Sequence, residues 1–447
     1  MKRFSYFLPF LLFILVTVSH IEAQTVDVTI NKDGKTKSEK IDIPKSMTYP
    51  LDSLLNDWQV KNFIDQQKEC STSPLNPSFP DSIYINRLQR IPAVMELPYN
   101  DIVRKFIDLY TCRMRNQVSF MLSAANFYIP IFEEALDAYD LPLELKYLPV
   151  IESSLNPKAI SRVGAAGLWQ FMVLTGKQYG LEINSLIDER RDPVKATWAA
   201  ARYLKDLYNI YHDWNLVIAA YNCGPNNINK AVRRSGGKTD YWAIYNYLPR
   251  ETRGYVPAFI AANYVMTYYC NHNICPMETN IPISTDTIQI DKEVHFDQIA
   301  AVLNIDKKEI RSLNPQYKLD IIPGNSHPYT LKLPQSDISR FIDHKDSIYS
   351  YKTDQLLPNR RTVEVDKSAE PSLYRHSYSR HSRHHHASYT HHSKRKHSRK
   401  SKSHTIKSGE TLSDIAQHYH MSVKQLRKAN HIKGNTIRAG KKIKIHR

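Results

Sequence analysis

Residues 376–403, HSYSRHSRHHHASYTHHSKRKHSRKSKS, contain no acid and a single small aliphatic side chain, Ala387. A stretch so composed cannot take enough apolar surface out of water to offset the entropy lost on ordering, so no packed core can run through it. Folding in this 447-residue chain is therefore confined to what lies on either side. The whole of 345–403 is expected to be a disordered His/Lys/Arg/Ser-rich linker. Charge divides the chain near the same place. There are 61 Lys and Arg against 44 Asp and Glu, a net +17. Pro371 to Arg447 alone holds 19 basic residues and two acids, Glu410 and Asp414, which already makes +17, so everything before Pro371 balances to zero.

The N-terminus, MKRFSYFLPFLLFILVTVSHIEAQT, places Lys2 and Arg3 before an apolar run from Phe4 to Val18, with Ala23 as the small residue before a cleavage point. That is the layout of an export signal, 1–23. The alternative is an uncleaved anchor, for which the run is short. In the next region, 24–100, TVDVTINKDGKTKSEKIDIP alternates Val26, Val28 and Ile30 and turns at Asp33-Gly34, as a small hairpin would. Cys270 and Cys275, in CNHNIC, can close a small loop in an oxidising compartment, while Cys70, Cys112 and Cys223 read as isolated buried thiols. No paired CxxC spacing suggests a metal site.

From 101 to 280 the patterns are helical. VSFMLSAANFYIPIFEEALDAY carries Phe120, Leu122, Ala125, Tyr128 and Phe132 at helical spacing, with Pro130 as a boundary or kink. DPVKATWAAARYLKDLYNIY opens with the start signal Asp192-Pro193 and puts Val194, Trp198, Ala201, Leu204 and Tyr208 on one face. YVPAFIAANYVMTYY is another apolar helix. A repeat then emerges. Ile299, Ala300, Ile310, Asn314 and Gly324 stand at the same offsets as Ile415, Ala416, Leu426, Asn430 and Gly440. Apolar pairs follow both sets, Leu331 with Leu333 and Ile443 with Ile445. Five matched positions imply two copies of one strand–helix–helix–strand module, at 288–336 and 404–447.

The helix LPLELKYLPVIES places Leu145, Leu148 and Glu152 on one face, with Pro149 a possible bend. If that face packs inward, Glu152 loses water, its charged form is disfavoured, and it becomes an acid able to give a proton near neutrality. The alternative is a solvated or base-paired glutamate at a helix end. The nearby acids Asp188, Glu189 and Asp192, in LIDERRDP, are crowded by Arg190 and Arg191 and read as a salt-bridged loop and helix start. A second catalytic carboxylate is therefore not evident.

IESSLNP, GLWQ, AAYNCGP and ETRGYVP, in this order, resemble the four motifs of the lytic transglycosylases, with the closest likeness to the membrane-bound D group. The resemblance covers about residues 100–270 and implies a mainly α, goose-lysozyme-like catalytic domain. It implies that Glu152 is the catalytic acid/base and that Ser153 is its neighbour in the motif. Gly167, Leu168, Trp169 and Gln170 would line the sugar cleft, Tyr221 and Asn222 would contact substrate, and Tyr255 would hydrogen-bond the carboxyl. Cys223 stands where the family carries a small residue. A single acid suffices if the sugar's own hydroxyl is the nucleophile, so the implied reaction cuts peptidoglycan to 1,6-anhydromuramoyl ends without cofactor or metal. A hydrolytic muramidase and a non-catalytic wall-binding protein are the alternatives.

The C-terminal copy resembles a LysM glycan-binding module, which implies Ser408, Gly409, Glu410, Thr411, Asn435 and Ile437 as contacts. The earlier copy is degenerate, with Glu293-Val294-His295-Phe296 in place of the Gly-Glu-Thr start, so a structural role is open for it. The partners expected are peptidoglycan strands and, through the cationic end, anionic envelope surfaces. Nucleic acid is not expected in an exported chain, and the sequence assigns no oligomeric state.

Overall fold

A computed structural model describes residues 25–32, 35–49, 51, 54, 75–277 and 284–357. In the C-terminal module it describes 402–406, 412, 415–416, 419, 423–430, 432 and 441–445. The chain forms two compact units, 1–365 and 366–447. The expected export signal, most of the expected linker, and Ser408, Gly409, Glu410, Thr411, Asn435 and Ile437 lie outside the described residues.

The first unit begins with the hairpin. Strands β1 (Thr25–Lys32) and β2 (Lys35–Asp42) pair antiparallel, from Thr25 opposite Asp42 to Lys32 opposite Lys35. Its inward residues Val28 and Ile41 join the main core. A short 3-10 turn, Lys45–Thr48, follows. Five helices frame the site: α1 (Arg115–Ala138), α2 (Leu148–Ser153), α3 (Pro193–Tyr211), α4 (Trp214–Cys223) and α5 (Arg250–Tyr268). The described residues are mostly helical, with sheets of two strands each.

Three local expectations need correction, each because packing outweighs a local signal. Pro130 does not end α1, and Pro257 likewise lies inside α5. A proline forfeits one hydrogen bond, but Tyr128 and Phe132 are buried on either side of Pro130, and Gly254 to Met266 is buried without a break. Pro149 bends nothing: LPLELKYLPVIES is a 3-10 turn, Leu143–Tyr147, and then α2, with Pro149 in the first helical turn where its missing N–H has no partner to lose. In α3 Asp192 caps as expected, accepting from Val194 N (2.9 Å) and Lys195 N (3.0 Å). Val194 itself points outward, and the inward stripe is Ala196, Thr197, Ala200, Ala201, Leu204 and Leu207.

The first repeat copy pairs Thr285–Ile290 with Tyr329–Pro334, and Glu293–His295 with Ile321–Pro323, around the helices Phe296–Leu303 and Lys307–Leu313. Its core contains Ile299, Ile310, Leu331 and Leu333. Order does not stop at 345, where the linker was expected to begin. Helices Lys345–Ser350 and Thr353–Leu356 follow, and Ile348 is fully buried in the same core. The second copy pairs Lys402–Thr405 with Lys442–Ile445, and Leu412, Ile415, Ala416, Leu426, Ile443 and Ile445 form its core.

The cysteine expectations also change. Cys270 is not in a disulfide whereas Cys275 is, so CNHNIC is not closed on itself. Cys112 is exposed and Cys223 half-buried, rather than both being buried, and Cys70 lies outside the described residues. No helix among the described residues is long and apolar enough to cross a membrane.

Candidate active site

Helix α2 is only six residues long, too short to hold its own shape in water, and is fixed from both sides. Its end turns sharply, with Ser154 and Leu155 both left-handed (φ 52° and 59°). Such a conformation strains a side-chain-bearing residue and persists only where contacts enforce it. The N-terminal segment supplies two. Ser46 Oγ donates to the Ile151 carbonyl, and Ser154 Oγ donates to the Ser46 carbonyl at 3.0 Å, both in buried surroundings. Glu152 is thus held between two residues tied to one distant serine.

Glu152 itself is half-buried, and the Tyr255 hydroxyl donates a hydrogen bond to its Oε1. Burial pushes its carboxyl up to about 8; the Tyr255 bond opposes this, the charge of Glu251 adds to it, and Lys45 opposes it. Burial and the facing Glu152 hold the Tyr255 hydroxyl far above its ordinary range, so it stays a donor.

The loop Gly164–Phe171 packs beside α2. Gly167 has φ +83°, and an added Cβ would lie 1.7 Å from the Arg190 carbonyl, so only glycine fits. Leu168 and Trp169 are buried. The Leu168 carbonyl accepts from Ser153 Oγ (2.9 Å), and the Trp169 carbonyl from the Tyr221 hydroxyl (2.7 Å). The Trp169 indole donates to Thr197 Oγ1 (2.9 Å). Gln170 is left-handed (φ 46°), with Nε2 on the Gly167 carbonyl at 2.8 Å. Asn222 accepts from Thr252 Oγ1 at 2.8 Å and keeps part of its surface open. Of these residues, then, Leu168 and Trp169 are buried, while Gln170, Tyr221 and Asn222 retain exposed surface. Burial raises the Cys223 thiol to about 11, which leaves it protonated and unreactive near neutrality.

Asp188 and Arg190 form a buried pair (2.8 Å), Glu189 pairs with Lys195, and Asp192 caps α3. Asp188 and Glu189 are thus held in salt bridges and Asp192 at the helix start, the arrangement expected of LIDERRDP. Sequence reasoning missed four residues near the site. Ser46, Lys45 and Tyr49 come from a segment about a hundred residues upstream, and the Tyr49 hydroxyl is raised first by burial and then by Glu152. Glu251 lies in the quoted ETRGYVP, four residues before Tyr255 and so on the same helix face; that spacing could have revealed it. It pairs with Lys45 at 3.5 Å.

Three family models match: the Transglycosylase SLT domain over residues 130–244, the Lytic transglycosylase MltD, LysM-like domain over 284–350, and the LysM domain over 404–446. The membrane-bound lytic murein transglycosylase D of Escherichia coli (strain K12) is 26% identical over 356 residues, covering 78% of this chain and 70% of that protein. The soluble lytic murein transglycosylase of the same strain is 32% identical over 124 residues, 26% of this chain and 19% of its own. The chain therefore combines a transglycosylase SLT domain, a LysM-like domain of the lytic transglycosylase D type and a LysM domain, in that order along one polypeptide.

Proposed function

We propose that the chain is a peptidoglycan lytic transglycosylase, exported to the cell envelope and held on the wall by its LysM domain. It cleaves the β-1,4 bond between N-acetylmuramic acid and N-acetylglucosamine and leaves 1,6-anhydromuramoyl ends. The observation that carries this reading is Glu152: desolvated to a pKa of about 8, bonded to Tyr255, and inside the matched SLT domain.

At neutral pH such a carboxyl is mostly protonated, and it donates to the glycosidic oxygen as the bond to the muramoyl anomeric carbon breaks. The carboxylate left behind keeps the Tyr255 hydrogen bond, which favours the charged form while it lasts. It then takes the proton of the muramoyl 6-hydroxyl as that oxygen attacks its own anomeric carbon. The acid is regenerated and no water is consumed. Oriented attack within one sugar has an effective concentration on the order of 10⁵ M or more, against which water competes poorly. Gln170, Tyr221 and Asn222 are assigned to hold the sugar chain, and Ser153 to seat the loop.

The hydrolytic alternative needs a second carboxylate to activate water. Glu251 is the acid nearest in influence to Glu152, and its pairing with Lys45 argues against that duty. Mass spectrometry of muropeptides released from purified peptidoglycan separates the readings. Wild type is expected to give products lighter by one water than hydrolytic ones, and Glu152→Gln to give none. Reducing ends from wild type would establish hydrolysis, and no release at all would leave only wall binding.

A further inference from the structure

We propose that the LysM-like domain serves as a positioning element for the sugar cleft, acting through Asp188 and Arg190. A loop of the SLT domain is built into it. Leu186 and Ile187 belong to the buried core of the LysM-like domain, beside Ile299, Ile310 and Leu331. Backbone bonds fasten the same loop: Asp188 N donates to the Gln316 carbonyl (2.9 Å), and Lys318 N donates to the Leu186 carbonyl (2.8 Å). Lys318 Nζ reaches the Asn184 carbonyl (3.1 Å), and the Tyr329 hydroxyl donates to the Glu182 carboxylate (2.9 Å).

From that anchorage the connection to the cleft is continuous. The Asp188 carboxylate accepts two 2.8 Å bonds from Arg190, and both side chains are buried. The remaining end of the guanidinium donates to the carbonyls of Gly164 (2.7 Å) and Phe171 (3.0 Å), the two ends of the loop that holds Gly167 to Gln170. The Arg190 carbonyl packs where a Cβ on Gly167 would stand. That loop in turn grips Ser153, the residue after Glu152, through the Leu168 carbonyl. One buried, bidentate arginine therefore fixes the cleft loop at both ends and is itself held by a residue bonded to the LysM-like domain.

Two of the positions that correspond to expected glycan contacts of the C-terminal copy serve this domain's own fold instead. At the repeat offset, Glu410 and Thr411 of the C-terminal copy correspond to Val294 and His295. Val294 is fully buried, and His295 Nδ1 accepts the Asp297 N–H as a helix cap (3.0 Å). The domain's place in the molecule is to hold the cleft wall still rather than to grip a separate stretch of glycan.

The activity readout rests on the transglycosylase reading, so the test has two arms. In the full-length protein, Lys318→Ala combined with Tyr329→Phe loosens the junction without touching the cleft. Turnover on soluble peptidoglycan fragments is expected to fall about tenfold or more with KM unchanged, since a misplacement near 1 Å can cost a hundredfold. Co-sedimentation with insoluble peptidoglycan, in a Glu152→Gln background, is expected to stay the same. Lost co-sedimentation with intact turnover would make the domain a tether and overturn the proposal, as would no change in either. The second arm needs no activity: amide hydrogen exchange at 164–171 is expected to speed up in the double variant, and unchanged protection there overturns the proposal. Should the double variant not fold, Arg190→Lys replaces it in both arms, because a lysine cannot span Asp188 and two carbonyls together. Wild type without anhydro products, paired with faster exchange, would sink the transglycosylase reading and leave the coupling standing.

Discussion

Charged neighbours act on Glu152 in opposite senses: Glu251 raises its pKa and Lys45 lowers it, on top of the larger rise from burial. If the protonated form does the work, activity falls as pH climbs through about 8. Lys45→Ala removes a lowering influence, so the alkaline limb of the pH–rate profile is expected to move up. Glu251→Gln removes a raising one, so the limb is expected to move down. Shifts in one direction for both variants would show that the limb reports another group. Stability carries the same signature. Between 4.5 and about 8 the folded protein keeps a proton on Glu152 that the unfolded chain has shed, so stability from this group is present below 4.5 and is lost as pH rises through about 8. Glu152→Gln is thus expected to raise the melting temperature at pH 8 and leave it nearly unchanged at pH 4. Thermal scans at the two pH values check this; a loss of stability at pH 8 would contradict a strained acid.

The elements show how a six-residue helix can carry such an acid. Helix α2 is pinned by Ser46, whose hydroxyl and carbonyl bond to residues on either side of Glu152. Ser46→Ala leaves the buried Ile151 carbonyl without that donor, at a cost of about 1–3 kcal/mol. The expected result is a lower melting temperature together with reduced turnover, and Ser46→Thr, which keeps the hydroxyl, should restore both. The hairpin before Ser46 was readable, because Val26, Val28 and Ile30 alternate in the sequence and Asp33-Gly34 is a turn signal there. Its docking onto α2 was not, since a contact between residues 105 positions apart leaves no local pattern. The prolines tell the same story. Pro130 reads as a breaker from sequence, and only the burial of Tyr128 and Phe132 explains why α1 runs through it. The repeat offsets revealed two modules, yet nothing in 182–190 announced that Leu186 and Ile187 would be core residues of the first one. Motif order exposed Glu152 and Tyr255. The sign of Glu251's influence became readable only with α5 folded against α2.

At the scale of the whole molecule, charge and catalysis belong to different ends of the chain. Residues 371–447 carry the entire net +17, and everything before them is neutral in sum. A part that is neutral in sum has no net attraction to an anionic surface, whereas the proposed role of the C-terminal end is to be drawn to one and to add a LysM grip on glycan. Two weak attachments on one chain act as an effective concentration, and such linkage commonly strengthens binding by 10² or more. Removing 371–447 is therefore expected to slow release from intact, insoluble peptidoglycan by about a hundredfold at dilute enzyme, with little change on short soluble fragments that never need a tether. Salt divides the two contributions. Charge attraction fades as the screening length falls from about 30 Å at 0.01 M to about 3 Å at 1 M, while a sugar grip persists. Co-sedimentation of the full chain should weaken across that range to a plateau above that of the truncated chain, whose own binding should hardly respond. A full chain falling to the truncated level at high salt would assign the attachment to charge alone, and equal rates on intact peptidoglycan would remove the C-terminal end from the enzyme's working arrangement.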